Sequence, residues 1–117
     1  TLLNKGEYKL KAVIMANNVK PDFEKYASGY ANYANLMLKE IVPFYEVAIV
    51  GKDAHKKALE FNGDYHPNKL ILGSTKASNM ELLQEKYVQG STIIYVCENK
   101  ACQLPTTSII KALKLIK

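Results

Sequence analysis

From residue 7 to residue 41 the apolar side chains recur with a helical period. Tyr8, Ala12, Met15 and Val19 fall at spacings of four, three and four, which predicts one buried face of a 3.6-residue helix. Pro21 forces a restart or a kink. It fits the first turn of a new segment, and Asp22 and Glu24 behind it suit the positive end of a helix. Ala27-Ser28-Gly29 predicts a second break, with Ser28 available as the N-cap of a helix over 30–41. After Pro43 the pattern changes. Short apolar or β-branched runs at 46–50, 69–72 and 92–96 end at Gly51, Gly73 and Cys97. Such runs, without polar alternation, suit strands buried on both faces. Helical spacing lies between them at 53–61 and 78–87 and closes the chain at 107–116, and Asn62-Gly63-Asp64 marks the turn that ends the first of these helices.

The order β-α-β-α-β-α predicts the α/β class: a small three-stranded parallel sheet with flanking helices and right-handed crossovers, preceded by an N-terminal helical pair. Residues 1–43 form the helical segment and 44–117 the α/β unit. A sheet this small has two open edges, so it is expected to lean on the N-terminal helices or on something outside the chain.

Composition narrows the function classes. With 117 residues, 48% hydrophobic, the chain can bury a core without a disulfide framework or a structural metal. Two cysteines exclude a disulfide-dense scaffold, and no apolar run reaches the length of a membrane span. Sixteen basic against eleven acidic residues give +5. All sixteen are lysines, spread from Lys5 to Lys117 with no run longer than Lys56-Lys57. Without arginine the chain lacks the planar fork that reads guanine or clamps phosphate, and without clustering it lacks a basic footprint, so no nucleic-acid partner is expected. Thr1 in place of Met reads as a processing or expression boundary, which removes leader peptides from the argument about compartment.

Candidate chemistry is sparse. Cys97 and Cys102 stand five positions apart at the end of a predicted strand. If the intervening residues loop back, their Cα atoms could approach the ~4.4 to 6.8 Å that a disulfide requires, and Lys100 and a following helix N-terminus would favour a thiolate. The alternative is a small buried hydrophobe at Cys97 and packing under the loop at Cys102. Cys-x4-Cys supplies only two metal ligands, and His55 and His66 have no partner at a recurrent spacing, so no metal is expected. Gly51-Lys52-Asp53 sits between a strand and a helix, the setting of a phosphate loop, but neither glycine-rich phosphate motif can be written there, and Asp53 at the N-cap would occupy the amides an anion needs. No cofactor is implied. Phe23, Tyr26, Tyr30, Tyr33 and Met37 follow helical spacing. Tyr26, Tyr30 and Tyr33 read as one wall of a ligand pocket or as core packing. Serines lack a nucleophile-elbow context, and no triad can be assembled.

Two segments carry a family resemblance. Pro43-Phe44-Tyr45-Glu46-Val47-Ala48-Ile49-Val50-Gly51 is similar to the strand that opens the C-terminal region of the YyaL-type, spermatogenesis-associated thioredoxin-domain-containing proteins. Tyr95-Val96-Cys97-Glu98-Asn99-Lys100-Ala101-Cys102-Gln103-Leu104-Pro105 resembles their Cys-containing terminal segment, and Tyr65-His66-Pro67-Asn68-Lys69 and Ser28-Gly29-Tyr30-Ala31-Asn32-Tyr33-Ala34 fit less tightly. The resemblance covers essentially the whole chain. It implies a parent with a thioredoxin-like domain, an α/α toroid similar to that of sugar 2-epimerases, and a C-terminal tail. Residues 1–43 would be the last toroid helices. The family's thioredoxin motif has no matching positions here, and its biochemical function is poorly defined.

The reading that follows is a non-catalytic C-terminal accessory domain whose partner is the remainder of that parent, with no membrane partner and a cytoplasmic location. One alternative is a thiol-disulfide element using Cys97 and Cys102, with the parent's thioredoxin-like domain as its exchange partner. Another is a small-molecule module at the C-terminal ends of the strands, around Gly51, Lys52 and Gly73, with Cys97 nearby.

Overall fold

The computed structural model describes residues 6–116. They form two compact units that divide between Pro43 and Phe44. The first contains α1 (Gly6–Val19), a 3-10 turn (Lys20–Asp22) and α2 (Ala31–Ile41). The second contains β1 (Tyr45–Val50), α3 (Ala54–Asn62), β2 (Lys69–Ser74), β3 (Ile93–Glu98), β4 (Ala101–Cys102) and α4 (Ile109–Leu113).

In the helical unit, Pro21 stands in the 3-10 turn, where its missing N–H costs nothing. Lys25 Nζ donates to Asp22 Oδ1 at 2.9 Å across this turn. The covered side of α1 is Ala12, Val13, Ala16 and Val19, and of these Ala16 alone is fully buried. Tyr8 and Met15, expected on the buried face, are 48% and 64% exposed. The stripe has rotated onto the small side chains, which let a neighbouring helix approach. Residues 23–30 form turns instead of a helix, and α2 starts at Ala31 with Tyr30 as its N-cap and no capping side chain. Ser28 is therefore not the cap. Val42 ends α2 in an extended conformation, as the residue before Pro43 must.

In the α/β unit β1 is central, and all six of its residues are buried. Tyr45, Val47 and Ile49 point to one face, where Phe61, Ala54, Ile94, Val96, Ala112 and Ile116 complete the main core beneath α3 and α4. Ala48 and Val50 point to the other face, against Leu83 with Leu72, Leu82 and Tyr95 around them. Two covered faces explain why β1 reads as an unbroken apolar run.

The sheet corrects the expected topology. It has four strands in the order β2-β1-β3-β4. Only β1 and β2 are parallel, paired from Tyr45↔Lys69 to Val50↔Ser74. β3 runs antiparallel to β1, from Tyr45↔Glu98 to Val50↔Ile93. The cause lies in residues 75–92. The helix expected over 78–87 stops after one turn: the Leu83 and Gln84 amides both donate to the Met80 carbonyl at 2.8 Å, and Glu85 then takes a left-handed φ of 59°. A parallel neighbour needs a crossover that returns the chain to its starting end. Here the segment leaves Ser74 and rejoins at Ile93, both beside Val50, so β3 can only run back along β1.

Two ends are fixed by side chains. The Ser108 hydroxyl accepts from the Lys111 amide at the start of α4, and Lys57 Nζ donates to the Thr107 carbonyl, tying α3 to the same point.

Candidate functional site

The two cysteines meet because of the turn between them. Asn99 and Lys100 have φ of 49° and 69°, the left-handed pair that a two-residue type I′ hairpin requires. Such a loop puts residues five apart directly opposite each other, and Cys97 pairs with Cys102 across β3 and β4. The Gln103 amide donates to the Val96 carbonyl at 2.9 Å. That bond places Cys97 and Cys102 at the adjacent non-hydrogen-bonded position, where facing strands come closest. The two sulfurs form a disulfide with a Cα–Cα distance of 3.8 Å, closer than the separation anticipated from the sequence.

Beyond Gln103 the hairpin changes register. Ile94 exchanges two backbone bonds with Thr106, of 2.8 and 3.0 Å. The register of the cysteines would have put Pro105 there, so one extra residue is accommodated before Thr106. This is a bulge, and it suits a proline that has no amide to donate.

The disulfide has unequal ends. Cys97 is 1% exposed, whereas Cys102 is exposed. Across β1, Cys97 is in register with Glu46, which is 7% exposed. Lys100 stands exposed in the turn. On the same face as Cys97, the Tyr95 hydroxyl donates to the Lys86 carbonyl at 3.2 Å, which pins the 75–92 segment to β3. The loop closed by the disulfide is so short that it restricts the unfolded chain by only about 2 kcal/mol. Beside it, the Gln103–Val96 bond and the paired Ile94–Thr106 bonds also join the two arms.

The other sequence candidates do not assemble with the cysteines. Because β3 is antiparallel, Cys97 lies beside Glu46 at the start of β1, while Gly51 and Gly73 lie at its end, roughly 13 Å along the strand. Gly51 is buried with φ +136°, and a Cβ there would come within 2.3 Å of the Ser91 carbonyl oxygen. Close packing against residues 91 and 92 is enough to require glycine here. The Asp53 amide at the start of α3 is taken by the Thr92 hydroxyl at 3.0 Å. The Asp53 side chain makes no capping hydrogen bond, so the expected occupation of the first-turn amides by its carboxylate is not seen. Lys52 and Gly73 are exposed.

Tyr26, Tyr30 and Tyr33 belong to the helical unit but not to one helical stripe. Tyr30 stacks on Phe23 with ring centroids 5.8 Å apart and meets Tyr33 at 6.1 Å, whereas Tyr26 lies in the 23–30 turns and is 64% exposed. A separate groove of about 210 Å3 between α1 and α2 is lined by Ala12, Val13, Ala16, Leu36, Met37 and Ile41, with Asn17 and Glu40 at its polar side. None of the three tyrosines lines it. Among the described residues no group of three or more His, Cys, Asp or Glu side chains is arranged to hold a metal ion, and no helix is long and apolar enough to cross a membrane.

No protein-family model, curated protein or solved structure matches the chain. Two features of the site escaped the sequence. The hairpin was signalled only by the five-residue cysteine spacing around Asn99, and the tie from Thr92 to Asp53 joins residues 39 apart, beyond the reach of local pattern.

Proposed function

We propose that the chain is a non-catalytic C-terminal accessory portion of a larger thioredoxin-domain-containing protein of the YyaL type, working in the cytoplasm, whose helical unit supplies the last helices of that protein's α/α toroid. The observation that carries this reading is the apolar surface of the two helices. Leu10 and Ile14, one turn apart on α1, are 62% and 50% exposed, and Leu38 and Ile41, one turn apart on α2, are 53% and 79% exposed. Single exposed apolar residues are ordinary, but their concentration on two adjacent helices marks a surface suited to a further layer of helices. The Cys-containing segment and the 43–51 strand support the same parentage by resemblance.

The test is to mix the chain with the thioredoxin-like and toroid portion of such a protein and measure the mass of the product by light scattering. A one-to-one complex that is lost in Leu38→Glu and Ile41→Glu supports docking. Absence of a complex with the folded chain, or turnover of a thiol or sugar substrate by the chain alone, sinks the accessory reading.

A second reading is favoured by the disulfide itself. In a reducing cytoplasm, disulfides that form are mostly transient and exchanging, not structural staples. A bond with one exposed end, in a hairpin that also carries backbone hydrogen bonds, fits a thiol-disulfide element built on Cys97 and Cys102.

A further inference from the structure

We infer that the Cys97–Cys102 disulfide is a directional exchange site: an incoming thiolate attacks Sγ of Cys102, and Cys97 is the sulfur that leaves and later closes the bond again. The inference rests on the thiol-disulfide reading and assigns a role to each sulfur. Three observations carry it. Thiol-disulfide exchange requires access to one sulfur along the bond, and the reagent chooses the sulfur it can reach. Cys102 is exposed on the edge strand, while Cys97 is 1% exposed on the interior strand. The two are held directly opposite by the two-residue turn, so a freed Cys97 stays beside Cys102. The hairpin keeps bonds that do not depend on sulfur, from Gln103 to Val96 and in both directions between Ile94 and Thr106, so cleavage leaves the strands in register.

The chemistry balances with a thiol as the named co-reactant. A thiolate RS⁻ forms a bond to Sγ of Cys102 as the Cys102–Cys97 bond breaks, and the electron pair departs on Cys97, which takes a proton. A second thiolate attacks the R sulfur of the mixed disulfide, giving RSSR and a Cys102 thiolate that is protonated in turn. Two thiols are oxidised and one protein disulfide is reduced. In the reverse direction RSSR is attacked by Cys102, and Cys97 then displaces RS⁻ to restore the protein disulfide. The partner class is a small or peptide thiol that can approach a sheet edge.

The experiment uses the full chain and glutathione. Exchange is stopped by acid before completion, free thiols are alkylated, and the glutathione adduct is located by peptide mass spectrometry. The expected result is an adduct on Cys102 with alkylated Cys97, exceeding the reverse species by at least about tenfold. An equal or larger share on Cys97 overturns the direction while leaving the thiol reading intact. If glutathione cleaves the bond only after the chain is unfolded in denaturant, the thiol reading itself falls. A second measurement separates exchange from local collapse: after reduction, amide exchange at Gln103 and Thr106 is expected to stay within roughly tenfold of the oxidised chain. Loss of protection at both would make the disulfide a structural fastening and overturn the inference.

Discussion

Gly51 is constrained twice, by a left-handed φ and by the backbone of residues 91 and 92 pressed against its Cα. Gly51→Ala should destabilise the chain by about 1–3 kcal/mol from conformation alone, with the collision added, as read from a denaturant midpoint. Thr92→Val keeps the shape and removes the acceptor of the Asp53 amide; leaving that part-buried donor unpaired should cost about 1–3 kcal/mol. Phe61, fully buried under the sheet, marks the upper end of the scale, with a loss of about 3–5 kcal/mol expected for Phe61→Ala. At the other extreme stands Lys25. The hydrogen bond and the charge of Asp22 raise its pKa above the ordinary 10.5. Any stabilisation from the pair is therefore complete below that ordinary value and is lost as pH rises through the raised one. The Lys25 side chain is 75% exposed, so Lys25→Ala should leave the midpoint at pH 7 unchanged. These residue-scale outcomes were only partly legible in the sequence. A glycine closing a strand could be singled out at once, but its reason, the approach of residues 91 and 92, comes from a segment forty positions away.

At the scale of elements, the three main strands were legible because each is an apolar run bounded by turn chemistry, and β1 declared its two buried faces by having no polar alternation except Glu46. The direction of β3 was not. It is decided by 75–92, where the spacing of Met80, Leu82, Leu83 and Tyr87 imitates a helix but Glu85 turns left-handed after one turn. Leu82 and Leu83 then lie on the second sheet face without a helix to carry them. Leu83, 4% exposed, should cost about 2–5 kcal/mol when truncated to Ala. The β3–β4 hairpin offers the opposite sign. Lys100 holds a left-handed φ that glycine adopts freely, and type I′ turns favour Asn-Gly. Lys100→Gly should therefore raise stability, by about 0.5–1 kcal/mol in a denaturant titration of the oxidised chain. No gain would mean that contacts of the lysine side chain already offset its backbone conformation.

At the scale of the molecule, the two units differ in how much they bury. The α/β unit holds nearly every fully buried side chain, whereas Ala16 is the only one in α1 and α2 has none. Native-state hydrogen exchange should therefore show slow amides in β1 and β3 and fast ones through α1 and α2; equal protection would mean that the helices draw stability from more than their own packing. The sheet also ends differently on its two sides. β4 has only two residues, and the bulge and Pro105 follow, which spoils that border as a template. β2 presents six residues in regular extension, and among the described residues no strand lies beyond it. Growth of this sheet by an added strand is thus one-sided: a peptide, a neighbouring copy or an aggregating chain would find its template along Lys69–Ser74, where the parallel register turns the amides of Lys69, Ile71 and Gly73 away from β1, and a proline placed at Gly73 would test that polarity of self-association.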